Sequence, residues 1–368
     1  MKIAIFTETY LPQINGVVTS TVTFTRELER LGHEVIIIGP KMKGARESTD
    51  KVWRFNSMPY PFQTEHRIIS PLSRKLNQFK EAKFDIVHVQ TPFLIGHLGQ
   101  YLGKKYDIPV IHTYHTYWME YLYYFPLLPK RLRPNADNLF TKNFCNRCAH
   151  IVVPSKQMHA MLIERGVSVP MTVIPTGIDT GAKPGNAQAF RKRYHIKPTD
   201  KVVIFVGRLG KEKNIYFLLE SFKHVKGARL LIVGDGPERD EIHRRNPQAI
   251  MTGYVPHGDV LTAYAASDII AFPSKTETQG LSLLEGLSMG KPAVCLDAMG
   301  VKDILHGEQG GFLVQEDPHG FAEKIMLLLN DPSIYKMKSE QALKRAHEFS
   351  APEMAKKLVS VYEREIKK

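Results

Sequence analysis

Cysteine is scarce in this sequence, with three among 368 residues. So few thiols exclude a disulfide framework and are typical of a protein in a reducing compartment, so we expect a cytoplasmic location. Cys145 and Cys148 form one C-x-x-C pair near His150. Because no second cysteine pair follows, a zinc site is not expected.

Long hydrophobic runs are also lacking. The longest, at residues 202–206, 230–233 and 269–272, fall far short of the roughly 20 residues that span a bilayer. The N-terminus reaches its first acid, Glu8, without a long apolar segment, so no signal peptide is expected. The chain has no P-loop, RRM-like or zinc-finger pattern, and nucleic acid is therefore not an expected partner.

Charge of one sign is in excess. Lysine and arginine number 50 against 37 acidic residues, which gives a formal net charge of +13. A basic surface attracts nucleic acid, anionic lipid or phosphorylated ligands, and charge alone does not choose among them.

Two similar series of strands and helices fill the chain. Short apolar runs at residues 3–6 and 202–206 each open such a series, and strand–helix alternation builds parallel sheets. We therefore predict an α/β fold of two Rossmann-like, doubly wound domains, residues 1–179 and 180–351, facing across a cleft. Residues 352–368 are expected to form a closing helix. Its pattern allows packing on either domain, and we assign it to the first.

Charged residues follow two strands of the second half. Arg208 and Lys213 come directly after the run at 202–206 and suit a diphosphate, although a solvated basic loop has the same pattern. Glu277 lies in a later loop, and Glu285 lies in a helix that begins near Gly280. A helix N-terminus is a natural anion site, and a carboxylate beside it can accept hydrogen bonds from ribose hydroxyls. The alternative is a helix with an acidic first turn.

Together with the segments Val-Gly-Asp-Gly-Pro at 233–237 and Gly-Tyr-Val at 253–255, these residues resemble retaining GT-B glycosyltransferases of the family 4 type. The resemblance covers nearly the whole chain. It implies that Arg208, Lys213 and Glu277 are catalytic. The donor-binding residues that it implies are Gly16, Tyr254, Val255, Gln279, Gly280, Leu281 and Glu285.

The first half of the chain shows the same resemblance. Residues 7–17 resemble the family's first loop, in which a glycine amide, here that of Gly16, meets the donor phosphate. Glycine fits there because it has no side chain to block the approach. The segment His-Thr-Tyr-His-Thr at 112–116 resembles the active-site histidine motif, which implies that His115 contacts the transferred sugar. Taken alone, a histidine after a strand is more often structural.

Two stretches narrow the substrate. Residues 87–96, and 112–116 with Tyr117 and Glu120, resemble bacterial 1,2-diacylglycerol glucosyltransferases. This resemblance implies a retaining transfer of glucose from UDP-glucose to diacylglycerol, giving α-glucosyl diacylglycerol at the inner face of the cell membrane. One alternative is a mannosyl- or galactosyltransferase acting on another lipid or a soluble acceptor. Another is a non-catalytic protein that binds nucleotide sugars or anionic surfaces. No D-x-D triplet occurs, so no metal cofactor is expected.

A basic amphipathic pattern indicates contact with anionic membrane lipids. Ser70-Pro71 is a good helix start, and helical spacing then separates an apolar face from cations. The apolar face comprises Ile69, Leu72, Leu76 and Phe79, and the cations include Arg74 and Lys75. The alternative is a surface helix that packs its apolar stripe on the core.

Aromatic residues follow the histidine motif. Tyr117, Trp118 and Tyr121 continue a helical spacing that starts at Tyr114. Tyrosine and tryptophan favour boundaries that are apolar on one side and wet on the other. We therefore predict an acceptor entrance at the bilayer surface, with a buried core stripe as the alternative.

Overall fold

The computed structural model describes residues 1–13, 15–41, 49–60, 63–69, 75–115 and 133–368. The chain divides into two compact units. The first unit comprises Met1–Gly177 with Ala351–Lys368, and the second comprises Ile178–Ser350. These boundaries lie one or two residues from the expected ones.

Strands and helices alternate along the first unit, as the sequence predicts. Its elements are β1 (Lys2–Phe6), α1 (Gly16–Arg30), β2 (Glu34–Pro40), β3 (Val52–Phe55), β4 (Ser57–Tyr60), β5 (Gln63–Ile69), α2 (Lys75–Ala82), β6 (Ile86–Val89), α3 (Leu94–Tyr106), β7 (Val110–Thr113), α4 (Arg133–Cys145), β8 (His150–Val153), α5 (Lys156–Glu164), β9 (Met171–Val173) and α14 (Ala351–Ile366). A parallel sheet has the order β3-β2-β1-β6-β7-β8-β9, and β4 and β5 form an antiparallel pair. Strands β6, β7 and β8 are buried throughout, as a sheet covered by helices on both faces requires.

The second unit repeats the alternation. Its elements are α6 (Ala187–Arg193), β10 (Lys201–Val206), α7 (Ile215–Phe222), β11 (Ala228–Val233), α8 (Arg239–Arg245), β12 (Ile250–Met251), α9 (His257–Ala265), β13 (Ile269–Phe272), α10 (Leu281–Ser288), β14 (Ala293–Leu296), α11 (Val301–Ile304), β15 (Gly311–Val314), α12 (Pro318–Asn330) and α13 (Pro332–Glu348). A parallel sheet has the order β12-β11-β10-β13-β14-β15. The expectation of two Rossmann-like α/β domains is confirmed.

The strand order reverses at one strand in each sheet. In the first unit β1 lies between β2 and β6, and in the second β10 lies between β11 and β13. Ligands of open parallel sheets bind outside the carboxyl ends of the strands at such a switch point. The loops after β1 and β10 are therefore where each unit is expected to hold a ligand.

The last helix completes the core of the first unit. Leu358 and Tyr362 of α14 are buried against strands β1 and β7 and helix α1. The Tyr362 hydroxyl hydrogen-bonds His88 Nδ1 of β6 at 2.5 Å, and Glu365 Oε1 lies 3.2 Å from His150 Nδ1 of β8. Apolar burial and these polar contacts together place α14 in the first unit.

The expected amphipathic helix differs from the structure. Ile69 is the last residue of β5, and the described helix spans Lys75–Ala82, so the prediction that Ile69 shares a helical face with Phe79 is wrong. Phe79 is 2% exposed and packs against Phe84, with ring centroids 4.8 Å apart. Its side chain therefore belongs to the core and not to a membrane-facing surface. Leu76 is half-buried. Leu72, Arg74, Tyr117, Trp118 and Tyr121 lie outside the described residues.

Within the described ranges, no helix is both long and apolar enough to cross a bilayer.

Candidate active site

Three loops of the second unit are joined at the carboxyl ends of β10, β11 and β12. The Gly207 N–H donates to the carbonyl of Val233 at 3.0 Å, and the Gly234 N–H donates to that of Gly253 at 3.1 Å. Gly234 has φ +136°, and a Cβ there would lie 1.9 Å from the Gly207 carbonyl oxygen. Only glycine allows the two backbones to approach so closely. This explains the glycine at position 234 of the Val-Gly-Asp-Gly-Pro segment.

Lys213 and Glu277 meet although 64 residues separate them. Lys213 ends a 3₁₀ turn (Lys211–Lys213) after β10, and Glu277 lies in the loop after β13, the neighbouring strand. The Lys213 ammonium donates a hydrogen bond to Glu277 Oε1, and Ser274 Oγ donates to the same oxygen at 3.2 Å. The sequence predicts the first two residues of this cluster and misses Ser274.

Arg208 is an exposed cation in the loop after β10. It follows the close-packed Gly207, and its side chain reaches solvent. Within the part of the chain that the structure describes, the guanidinium has no hydrogen-bond or ion-pair partner. Its donors therefore remain available for a phosphate oxygen, and Arg208 suits that geometry because its planar fork binds two oxygens at once.

Helix α10 begins beside this cluster. Gly280 precedes its first residue, Leu281, and has φ +92°, a left-handed conformation that favours glycine. Gln279 is buried, and the Glu277 carbonyl accepts from the Gly300 N–H at 3.0 Å, which fixes the loop that leads into the helix. The predicted residues 279–281 thus place a helix N-terminus, with its partial positive charge, at the end of β13.

Glu285 lies in α10, one turn after Leu281. Burial raises the pKa of its carboxyl to about 7. His257 Nδ1 lies 3.8 Å from Glu285 Oε1. Of the other two predicted donor contacts, Tyr254 is largely exposed, whereas the side chain of Val255 packs in the core. Val255 therefore presents only main-chain groups to a ligand.

The first loop of the first unit presents Gly16 to solvent. Asn15 caps α1 by accepting the Val18 N–H at 3.0 Å, and its side-chain amide donates to Thr9 Oγ1 at 2.8 Å. Gly16 is the first residue of α1, and a Cβ there would meet no atom within 4 Å. A phosphate can therefore reach the exposed first turn of this helix.

His115 follows β7 and is held by a residue that sequence reasoning missed. Its Nε2 lies 2.6 Å from Oε1 of Gln90, which directly follows β6. Because an amide oxygen only accepts, Nε2 carries the proton. Burial, and then the neighbouring His112, lower the pKa of His115 to about 3. The imidazole is therefore neutral at physiological pH and fixed in one tautomer.

Glu8 forms hydrogen bonds with the loop after β6 and with the first turn of α3. The Ile95 N–H of α3 donates to Glu8 Oε1 at 2.8 Å, and the Glu8 N–H donates to Thr91 Oγ1 at 3.0 Å. Burial raises the pKa of the Glu8 carboxyl to about 8. Gln90 and Thr91 are adjacent in sequence, so Glu8 anchors the loop that holds His115. Sequence position could have pointed to both Gln90 and Glu8, since Gln90 directly follows β6 and Glu8 lies two residues after β1.

The chain is similar to known glycosyltransferases in both units. A model described as Glycosyltransferase Family 4 matches residues 14–182, and one described as Glycosyl transferases group 1 matches residues 200–331. Alpha-monoglucosyldiacylglycerol synthase of Streptococcus pneumoniae is 30% identical over 95% of this chain and 85% of the relative. The synthase of the same name from Acholeplasma laidlawii is 33% identical over 80% of each. A GDP-mannose-dependent alpha-mannosyltransferase of Corynebacterium glutamicum is 28% identical over 85% of this chain and 76% of the relative.

Solved structures with low sequence identity share the fold. Sucrose-phosphate synthase from Thermosynechococcus elongatus superposes with a TM-score of 0.79 at 20% identity, covering 99% of this chain and 98% of that one. Anabaena HepE, in complex with UDP, gives 0.80 at 18% identity, covering 99% of this chain and all of that one. Both family models, the two synthases and the GT-B fold agree, and the chain therefore belongs to glycosyltransferase family 4.

Proposed function

We propose that this glycosyltransferase moves glucose from UDP-glucose to the hydroxyl of diacylglycerol, with retention of configuration, at the inner face of the cell membrane. The product is α-glucosyl diacylglycerol. The observation that carries the proposal is the Lys213–Glu277 pair at the switch point of the second sheet, with Arg208 in the loop after β10 and without a partner among the described residues. Relatives at 30% and 33% identity are named alpha-monoglucosyldiacylglycerol synthases, which supports glucose as the sugar and diacylglycerol as the acceptor.

The second unit would hold the donor. Glu285 accepts hydrogen bonds from the ribose hydroxyls, with Tyr254 and the main chain of Val255 alongside. Glu277 and the backbone of residues 279–281 orient the sugar. Arg208 and Lys213 bind the diphosphate, where fixed positive charge stabilises the transition state.

The transfer exchanges one bond at the anomeric carbon for another. The bond from that carbon to the diphosphate oxygen breaks, and a bond to the diacylglycerol oxygen forms on the same face. The proton of the attacking hydroxyl passes to the departing diphosphate. Arg208, Lys213 and the Gly16 amide would balance the negative charge that develops on the leaving group.

His115 would contact the transferred sugar from the first unit. Its neutral ring, with Nε2–H given to Gln90, keeps one orientation. A charged imidazolium would repel the positive charge that develops on the glucosyl group as the donor bond breaks. A neutral ring is therefore the form that suits this position.

We propose that no divalent metal is needed, because Arg208, Lys213 and the N-terminus of α10 would supply the positive charge that the diphosphate requires. Excess EDTA should leave the rate unchanged within about twofold, against the losses of about 10²–10³ expected when one stabilising donor is removed. Loss of activity in EDTA, with recovery on adding Mg²⁺ or Mn²⁺, would contradict this.

A mannosyltransferase is the second candidate. Relatives at 28% and 26% identity are named GDP-mannose-dependent alpha-mannosyltransferases. The two donors differ in both base and sugar, so donor choice separates the candidates directly.

The test is mass spectrometry of the lipid products. The purified protein is given vesicles of phosphatidylglycerol, phosphatidylcholine and diacylglycerol, with UDP-glucose, UDP-galactose or GDP-mannose in turn. We expect a hexosyl diacylglycerol from UDP-glucose, with the α anomer identified by NMR. A product from GDP-mannose alone would establish the second candidate. Folded protein that turns over none of the donors would overturn the proposal in favour of a binding protein.

A further inference from the structure

Two neighbouring helices of the first unit expose apolar side chains on one surface. Helix α3 exposes Leu94 (52%) and Tyr101 (59%), and α4 exposes Leu139 (61%) and Phe140 (36%). His97, between the two α3 residues on the same helical face, contacts the Phe140 ring with centroids 6.2 Å apart. We call these five residues the α3/α4 patch. The contact between His97 and Phe140 joins the exposed residues of the two helices, unlike the single exposed apolar residues that any surface carries.

The exposed charges described within helices α3 and α4 are all positive, and the exposed Asp107 follows the last residue of α3. Helix α3 contains no acidic residue, and Asp137 is the one acid of α4. That carboxylate is buried and bonds Arg165 at 2.7 Å. Among the residues of these helices whose side chains the structure describes, the exposed charged ones are Lys104, Lys105 and Lys142. The surface is thus apolar and cationic, which is the combination that anionic bilayers bind.

The patch adjoins the candidate site of the first unit. Helix α3 starts after the loop that contains Gln90, and the residue after Leu94, Ile95, donates its N–H to Glu8. Leu94 therefore lies at the carboxyl ends of the strands, next to the loop that holds His115. Lys104 and Lys105 lie about three turns further along the helix. The apolar end of the patch, at Leu94, is therefore the end closest to the reacting groups, and a lipid bound to the patch would contact that end there.

Another helix shows what an ordinary exposed surface looks like in this protein. Helix α13 of the second unit exposes Met337 (46%) and Leu343 (42%) with Lys336 and Lys344. It also exposes acidic residues, Glu340 and Glu348, among them. Mixed charge and isolated apolar residues are typical of a surface that faces water.

We propose that the α3/α4 patch is a docking surface for an anionic lipid bilayer. Leu94, Leu139 and Phe140 insert at the headgroup boundary, Tyr101 places its hydroxyl among the headgroups, and the lysines contact lipid phosphates. The proposal rests on the proposed function in one respect, that the acceptor is a membrane lipid. It names the surface through which the enzyme reaches that acceptor.

The test is cosedimentation of the full-length protein with vesicles that contain neither diacylglycerol nor donor. Half phosphatidylglycerol, half phosphatidylcholine vesicles should bind it, and pure phosphatidylcholine should bind it far less. Tyr101→Ser with Leu139→Ser should weaken binding about tenfold or more, since each removes inserted apolar surface. Lys104→Ala with Lys105→Ala should weaken it about fivefold for each lysine at low salt, and less at high salt. The matched control, Met337→Ser with Leu343→Ser, should bind like the wild type.

A second measurement separates this surface from the proposed reaction. Turnover of short-chain diacylglycerol in detergent micelles should be unchanged in the Tyr101→Ser, Leu139→Ser protein, which also shows that it folds. Equal vesicle binding by this variant and the wild type would overturn the docking surface, even if glucosyl lipid is made. The same holds if the wild type binds no anionic vesicles. Conversely, patch-dependent binding without glucosyl product would leave the docking surface standing and overturn the proposed function.

Discussion

At the scale of single residues, the cations of the second unit have unequal surroundings. Lys213 is bonded to Glu277, while the exposed Arg208 has no partner among the described residues. If both bind the leaving diphosphate, Lys213 must share its charge with Glu277, whereas Arg208 gives its whole guanidinium to the phosphate. On the proposed mechanism, Lys213 would leave an ion pair to bind the phosphate, whereas Arg208 would not.

Arg208→Ala and Lys213→Ala should each lower kcat by about 10²–10³, because each removes a donor to developing charge. Lys275→Ala is the control, since Lys275 is also a loop cation of the second unit but pairs with Glu316. Steady-state kinetics with UDP-glucose measures the effect, and circular dichroism checks the fold. Wild-type turnover in both variants would exclude the diphosphate role.

Gln90→Leu should lower turnover about tenfold to a hundredfold, because it frees the His115 ring from its fixed orientation. Gln90→Glu keeps an acceptor but adds a charge, which should raise the pKa of His115 and create a new step in the pH–rate profile. ¹⁵N NMR of the imidazole reports the tautomer. Gln100→Leu is the control, since Gln100 is a second buried glutamine whose amide bonds the Phe144 carbonyl. Unchanged kinetics and an unchanged His115 spectrum in Gln90→Leu would show that the contact does not position the ring.

Residue types in motifs were predictable, whereas their partners were not. Arg208, Lys213 and Glu277 stand out because a strand end or helix start brackets each of them. Gln90 and Ser274 also follow strands, but a glutamine or serine in a loop is common and gains its role only from the atom that it contacts. Gln90 and His115 are 25 residues apart and meet because β6 and β7 are neighbours in the sheet, whereas Ser274 and Glu277 are three residues apart in one loop.

At the scale of elements, α3 depends on a carboxyl group from another part of the chain. Glu8 accepts the N–H of Ile95 in the first turn, while the residue before the helix, Phe93, offers no side-chain cap. The pKa of Glu8 is about 8 when folded, against an ordinary value near 4.5 when unfolded. The folded state thus binds this proton more tightly, and the stabilisation is complete below about pH 4.5 and is lost as pH rises through about 8.

Glu8→Gln should therefore gain stability relative to the wild type as pH rises. The amide still accepts from Ile95 but does not titrate, so we expect a relative gain of about 2–4 kcal/mol between pH 4 and pH 9. Urea denaturation at both pH values measures it. Glu34→Gln, at an exposed glutamate of the same unit, should show little change. A Glu8→Gln difference that is independent of pH would mean that Glu8 titrates normally.

The α2 region shows where periodicity fails. Apolar residues at helical spacing predicted a membrane-facing helix from Ile69, but the chain there ends a strand, and Phe79 packs on Phe6 and Phe84. A helix stripe has the same spacing whether it faces a core or a bilayer, so the sequence pattern could not separate the two. The edge strands β12 and β15 were missed for a related reason. They are partly exposed, and their apolar runs are short.

At the scale of the whole molecule, the first of the two α/β units is built from two separate segments of the chain, Met1–Gly177 and Ala351–Lys368. The repeated strand–helix pattern was enough to predict two parallel sheets, because short apolar runs such as residues 3–6 and 202–206 recur between helical stretches, although it missed edge strands. The helix that closes the chain was visible as an amphipathic segment. Its position in the first unit depends on the partners it meets there, such as His88 and His150, which no local pattern identifies.

Leu358→Ala should destabilise the first unit by about 2–5 kcal/mol, since it leaves a cavity in the core between α14 and the sheet. Hydrogen exchange read by mass spectrometry resolves the two units, and peptides of residues 178–350 should keep their protection. Leu343→Ala, on the exposed face of α13, is the control. Equal loss of protection in both units would show that they unfold as one.

The return of α14 to the first unit also orders events during synthesis. A ribosome releases residues 1–177 long before 351–366, so the first unit stays without its last helix while the whole second unit emerges and can fold. The part of the protein made first is thus the part finished last. A chain cut short before α14, whether by premature termination or by a protease, has every residue of the second unit but a first unit whose core lacks the buried side chains of α14.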